Sequence, residues 1–398
     1  MTSQPYLVDR LQGFGTTIFA EMSALANQTG AVNLGQGFPD TDGPAEISEA
    51  AIAAIREGHN QYPPGPGIPS LREAIAEHQQ RFYDLSFDPD TEVLVTAGAT
   101  EALAATMLAL LEAGDEVVMF EPYYDSYAAG VAMAGGVRRV VTLRPPEPGE
   151  SAEGADAYGF DEAEFRAAVT DRTKLILLNT PHNPTGKVFT AAELQLIAEV
   201  ASEHDLLVVT DEVYEHLVFT GQHLPIAGLP GMAERTVTIS SAGKTFSFTG
   251  WKIGWVCAPP ELVAAIRTAK QFLTFVNGAP FQHAVAVGLR MSDDYFESFS
   301  ADMASKGKRL AEGLRSAGFG VYEPEGTYFI TTDIRPFGET DGFAFCRSLP
   351  ERCGVVGVPN VVFYDTKSAG QHLVRWTFCK RMDVIDEAIE RLGRLSEI

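Results

Sequence analysis

Seven short, mostly apolar runs, at 93–96, 116–120, 137–143, 175–178, 206–210, 236–239 and 253–258, punctuate the middle of the chain, with helical periodicity or polar loops between them. Strands covered on both faces read as continuous apolar runs instead of alternating ones, so the pattern implies an α/β fold around a mostly parallel sheet. Ligands of such sheets bind at the carboxyl ends of the strands. Gly98, Tyr124, Asn183, Asp211 and Lys244 each stand just after one of these runs.

At 398 residues the chain exceeds the roughly 250–300 at which single cores stop growing, so two lobes are expected. Beyond residue 290 the pattern changes to a long helix at 293–317, strands near 319–322, 326–332 and 371–379, a helix near 341–352 and a final amphipathic helix with Val384, Ile385, Ala388, Ile389, Leu392 and Leu395 on one stripe. The expected division is an N-terminal segment, 1–45, that joins the small domain, a large domain over 46–290, and a small α/β domain over 291–398. Residues 144–157 read as an acidic surface excursion.

Asp plus Glu number 53 against 30 Lys plus Arg, a net charge of −23, which argues against nucleic acid or an anionic membrane as partner. The four cysteines have no metal-ligand spacing, residues 1–30 lack an apolar core of signal-peptide length, and no apolar run approaches the ~20 residues that cross a bilayer. A reducing, cytoplasmic setting is expected.

Chemistry concentrates in 240–255, where Lys244 sits in a loop with hydroxyls on both sides and Lys252 eight residues on. A desolvated lysine close to another cation is a nucleophile toward carbonyls and forms Schiff bases. At 97–100, strand, glycine turn and helix start make a phosphate cradle in which Thr100 can add a donor. A lysine of this kind, a phosphate cradle, a carboxylate at a strand end (Asp211) and an aromatic loop (Tyr124) together suit pyridoxal phosphate. Its aldehyde needs the amine, its pyridinium an acid, its ring oxygen donors such as Asn183 and Tyr214, and its ring face an aromatic. Arg375 lies amid apolar neighbours, where a lone guanidinium is costly unless it meets an anion.

Asn-Leu-Gly-Gln-Gly-Phe-Pro-Asp at 33–40, Asn-Gln-Tyr-Pro-Pro-Gly-Pro-Gly at 60–67, Pro-His-Asn-Pro-Thr-Gly at 181–186, Thr-Asp-Glu-Val-Tyr at 210–214 and Gly-Trp-Lys-Ile-Gly-Trp at 250–255 occur in this order. Across nearly its whole length the chain resembles a class I aminotransferase of the aspartate aminotransferase superfamily, fold type I among pyridoxal-phosphate enzymes. It is most similar to kynurenine and glutamine aminotransferases and to actinobacterial N-succinyldiaminopimelate aminotransferases. The resemblance implies a seven-stranded sheet, a Schiff base on Lys244, which also moves the proton, and Asp211 on the pyridinium. It implies Asn183 and Tyr214 on the ring oxygen, Tyr124 on the ring, and the phosphate held at Gly98, Ala99 and Thr100 with Ser241 and Lys252. Tyr62 then reaches the phosphate of a neighbouring subunit, in a homodimer with shared active sites. Arg375 takes the substrate α-carboxylate and Gly37 lets it come close to the chain. Lys252 is a departure, because many superfamily members have arginine there. A point charge still neutralises phosphate but gives up bidentate geometry.

Phe19, Phe363 and Tyr364 are candidates for the substrate side-chain pocket. The implied activity is transfer of an amino group from an amino acid to a 2-oxo acid, 2-oxoglutarate being expected. A cysteine-conjugate β-lyase of the same fold is the alternative. A transcription regulator would need a basic N-terminal DNA-binding module, whereas here the Gly37 motif begins after about thirty residues and the chain is acidic.

Overall fold

The computed structural model describes residues 5–15, 17–146 and 158–397, so most of the expected excursion at 144–157 lies outside the described residues. Among these, thirteen strands form three sheets: β1 (Val32–Asn33), β2 (Val93–Thr96), β3 (Glu116–Glu121), β4 (Val137–Thr142), β5 (Thr173–Asn179), β6 (Leu207–Asp211), β7 (Thr236–Ser241), β8 (Gly254–Cys257), β9 (Gly320–Tyr322), β10 (Phe329–Asp333), β11 (Val355–Val356), β12 (Val358–Pro359) and β13 (Leu373–Thr377). The large sheet has the order β2-β8-β7-β6-β5-β3-β4. Neighbours from β7 to β4 are parallel, and β8 runs antiparallel to both β2 and β7. Burial on both faces follows from composition: every residue of β2, β3, β7 and β8 is buried.

Helices cover this sheet, among them α2 (Ala45–Arg56), α3 (Pro69–Tyr83), α4 (Gly98–Leu110) and α5 (Asp125–Met133), whereas α1 (Ile18–Thr29) packs on the small layer described next. Helix α4 starts directly behind β2. Gly98 takes φ +73° there, and a Cβ on Gly254 of the adjoining β8 would lie 2.6 Å from the Gly98 carbonyl carbon. Two glycines thus let β8 press against the first turn of α4.

A four-stranded antiparallel sheet, β12-β13-β10-β9, forms a second layer with the helices Asp293–Ser316, Gly342–Arg352 and Met382–Leu392. Strands β9, β10 and β13 and the first two of these helices fall within three residues of the expected bounds, whereas β12 was not expected. The N-terminal segment joins this layer: β1 pairs in parallel with β11, and α1 buries Ile18, Met22 and Ala26 at helical spacing against the same core. A buried Ile or Met contributes roughly 1.5–3 kcal/mol, against about 0.5–1.5 kcal/mol net for one hydrogen bond. Apolar burial, more than the two-residue ladder, therefore holds this segment in place. Its continuation, Gly35 to Phe38, lies over the carboxyl ends of the large sheet.

The loop expected around Lys244 is instead a single helical turn, Ala242–Thr245. Ala242 N–H donates to the Ile253 carbonyl (3.0 Å), and fully buried Phe246 pins the other end. All four cysteines are buried free thiols. Among the described residues no helix is long and apolar enough to cross a membrane.

Candidate active site

At the carboxyl ends of β5, β6 and β7 a cavity of about 250 Å³ opens beneath the N-terminal segment. It is lined by Phe19, Gly37, Gly98, Ala99, Thr100, Tyr124, Asn183, Asp211, Tyr214, Ser241, Lys244, Lys252 and Arg375, so thirteen of the sixteen sequence-derived candidates meet there. Phe363 and Tyr364 do not line it, and neither does Tyr62. Tyr62 is 83% exposed and sets its ring edge-on to Phe275 at 5.6 Å.

The helical turn after β7 aims Lys244 into the cavity. Its Nζ donates to the Tyr328 hydroxyl (3.0 Å) and the Gly37 carbonyl (3.4 Å), and the Tyr328 hydroxyl itself donates to that carbonyl (2.7 Å). Burial lowers the pKa of the ammonium to about 8, with Arg375 and Lys252 acting in the same direction and Asp211 against it. The amine is thus largely neutral just above pH 8, the form that attacks carbonyls.

Asp211 closes β6. One carboxylate oxygen accepts from the Tyr127 hydroxyl (2.7 Å) and the other from Val213 N–H (3.3 Å), while Asn179 Nδ2 donates to the Asp211 carbonyl (2.8 Å). Burial pushes its carboxyl up to about 6. No cation touches it among the described residues, so it is a buried acid suited to a cationic ring nitrogen.

Arg375 comes from β13 and is buried. Nη1 donates to Asn183 Oδ1 (3.1 Å), Nη2 to the Gly35 carbonyl (2.9 Å), and Nε has no partner. The guanidinium carbon stands 4.1 Å from the Phe329 ring centre, 5.0 Å from that of Phe19 and 5.2 Å from that of Phe363. Burial lowers its pKa to about 10. A stacked guanidinium without a carboxylate partner among the described residues is a built anion site. Asn183 is oriented in turn by Asn179, whose Oδ1 accepts from Asn183 N–H (2.8 Å).

On the facing wall, Gly98, Ala99 and Thr100 open α4 with free N–H groups, and Lys252 lies against them: a Cβ on Gly98 would stand 3.2 Å from Lys252 Nζ. Tyr124 lines the cavity edge-on to Tyr127. A Cβ on Gly37 would lie 2.6 Å from Phe329 Cζ, so the space a side chain there would take holds that ring. Tyr364 is fully buried and does not line the cavity, because its ring packs on Gly370. Tyr127, Asn179, Tyr328 and Phe329 were not among the expected site residues. Tyr127 stands in the aromatic loop noted in the sequence, whereas Tyr328, just before β10, and Phe329, its first residue, have nothing in the sequence to mark them.

Cradle, buried acid and desolvated lysine fit pyridoxal phosphate on residues of this chain alone, and with the strand-end position they define a pyridoxal-phosphate enzyme of fold type I. The model of the aminotransferase class I and II family matches residues 29–392, and the chain belongs to that family. A probable N-succinyldiaminopimelate aminotransferase of Mycobacterium tuberculosis is 53% identical over 98% of both chains. The methionine aminotransferase of Escherichia coli is 39% identical over 99% of this chain and 100% of its own. The solved N-succinyldiaminopimelate aminotransferase of M. tuberculosis superposes with a TM-score of 0.94 at 53% identity, covering 98% of this chain and all of that one. The protein is an aminotransferase, its substrates are an amino acid and a 2-oxo acid, and its cofactor is pyridoxal phosphate.

Proposed function

We propose that the amino donor is N-succinyldiaminopimelate and the acceptor 2-oxoglutarate, with Lys244 and Arg375 as the two residues around which the reaction is arranged. One observation carries this reading: the desolvated amine of Lys244 and the anion-ready guanidinium of Arg375 line one cavity. Arg375 grips the α-carboxylate with two prongs, and Gly37 and Asn183 border it. The α-carbon is thereby fixed within reach of Lys244, whose neutral amine takes the α-proton and returns it one position away. Bound pyridoxal phosphate supplies an electron sink for the α-carbon. Asp211 keeps its ring nitrogen protonated, Asn183 and Tyr214 hold its ring oxygen, and Tyr124 covers its face. Ala99 and Thr100 N–H, the Ser241 hydroxyl and the Lys252 ammonium hold its phosphate, Gly98 giving Lys252 room.

The relative from M. tuberculosis supports the donor assignment, and the lining weighs against aspartate. Besides Lys244, Lys252 and Arg375 no cationic side chain lines the cavity among the described residues, while Phe19 and half-exposed Phe38 do. Such a mouth suits a long side chain better than the short acidic one of aspartate. In half-reactions that follow loss of cofactor aldehyde absorbance, N-succinyldiaminopimelate should react at least about tenfold faster, in kcat/KM, than methionine, glutamine, kynurenine or aspartate, a difference of about 1.4 kcal/mol. Aspartate reacting fastest would overturn the donor assignment.

We further propose a homodimer in which Tyr62 reaches the partner's phosphate, a cytoplasmic setting, and domain limits at 1–45, 46–290 and 291–398. Tyr62, Phe272, Leu273 and Phe275 form an exposed apolar cluster, which an isolated chain would leave in water. The four free thiols suit a reducing compartment.

Apoenzyme should take up pyridoxal phosphate at a rate that rises with pH up to about 8 and then levels, because only the neutral Lys244 amine attacks. Stopped-flow absorbance at a series of pH values checks this, and a pH-independent rate contradicts it.

A further inference from the structure

We propose that His78, Glu215 and His216 form a second site, for a divalent first-row transition ion of the zinc type, which ties α3 to the turn after β6. His78 stands on α3 and the other two follow Tyr214, and none of the three lines the cavity or plays a part in the chemistry above. Ligand atoms from the three lie within 4.8 Å of one another, and the two Nε2 atoms are only 2.7 Å apart.

Two features favour a cation over a self-contained hydrogen-bond cluster. Charge is the first. Glu212 pairs with His223 (2.9 Å) and accepts from the Thr210 hydroxyl (3.0 Å), but Glu215, equally buried, has no ion-pair partner within 4.0 Å among the described residues. Its Oε1 accepts from Ser240 (2.5 Å), and its Oε2 has no partner of hydrogen-bond geometry, although the Tyr83 hydroxyl lies beside it. A buried carboxylate without a counter-charge is costly, and a dication removes that cost.

Surroundings are the second. Phe82 and Phe296 pack on both imidazoles, with ring centres 4.4–6.1 Å apart, and give the dry shell that strengthens coordination. Two nitrogens on a tetrahedral ion at about 2.0–2.1 Å stand about 3.3 Å apart, so binding needs the imidazoles to part by about 0.6 Å and exchange their mutual hydrogen bond for the ion. Two neutral imidazoles and a carboxylate are a donor set for zinc and its neighbours, not for calcium or magnesium.

The test uses holoenzyme purified without a metal-affinity column, exposed to zinc chloride and gel-filtered. Elemental analysis should find one zinc per chain, and cobalt in its place should give visible ligand-field bands. Zinc should raise the Tm of the wild type by several degrees. His78→Gln and Glu215→Gln should lose ion, bands and thermal shift while keeping the yellow cofactor absorbance that reports an intact fold. Wild-type protein retaining less than about 0.1 zinc per chain would leave a proton-sharing histidine pair and end the proposal. So would His78→Gln binding as much zinc as wild type.

Discussion

Alanine at position 244 should lower the rate of the amino-acid half-reaction by about 10²–10⁴-fold from lost proton transfer alone. Lys244 lines the cavity from a strand end, and burial brings the pKa of its amine down to about 8. The variant should still hold pyridoxal phosphate, because the first turn of α4, Ser241 and Lys252 are untouched. Borohydride treatment should fix the cofactor to wild-type protein and release it from Lys244→Ala on denaturation. A variant that turns over at the wild-type rate, or that still retains cofactor covalently, would show that another nucleophile does this work.

Arg375→Ala should reduce kcat/KM for every amino-acid donor by about 30- to 1000-fold, equivalent to about 2–4 kcal/mol, because a buried ionic partner of the α-carboxylate is lost. The loss should appear in KM as well as kcat. Arg375→Lys should recover only part of it, since an ammonium cannot make the two-pronged contact or stack on Phe329. Amines without a carboxylate supply the control: their slow reaction should be unchanged. An unaltered KM for amino acids in Arg375→Ala would move the carboxylate site elsewhere.

Much of this site was legible because a doubly covered sheet writes its strands as uninterrupted apolar runs, and the residue ending each run falls on a common rim. Asp211, Asn183 and Lys244 are visible in that way, each a polar residue where an apolar run stops. Tyr127 and Tyr328 are not, since what matters is contact with Asp211, 84 positions away, and with Gly37, 291 away. Apolar sequence around them gives the same signal whether a hydroxyl meets a carboxylate or simply fills core. The direction of β8 was hidden for a similar reason: an antiparallel strand buried on both faces has the composition of a parallel one. The turn of helix at Lys244 is too short for a period of 3.6 to register. Tyr364 shows the converse, an aromatic near the right place in sequence that Gly370 draws into the core.

The hydrogen bond from Arg375 to the Gly35 carbonyl joins positions 340 apart. During synthesis the chain emerges N-terminus first. Cradle, acid and lysine all leave the ribosome before β13 does, so the enzyme acquires the means to hold its vitamin before the means to hold its substrate. The residues that hold the cofactor thus precede in the chain the one that holds the substrate carboxylate, and the complete site waits for the last strand to be made.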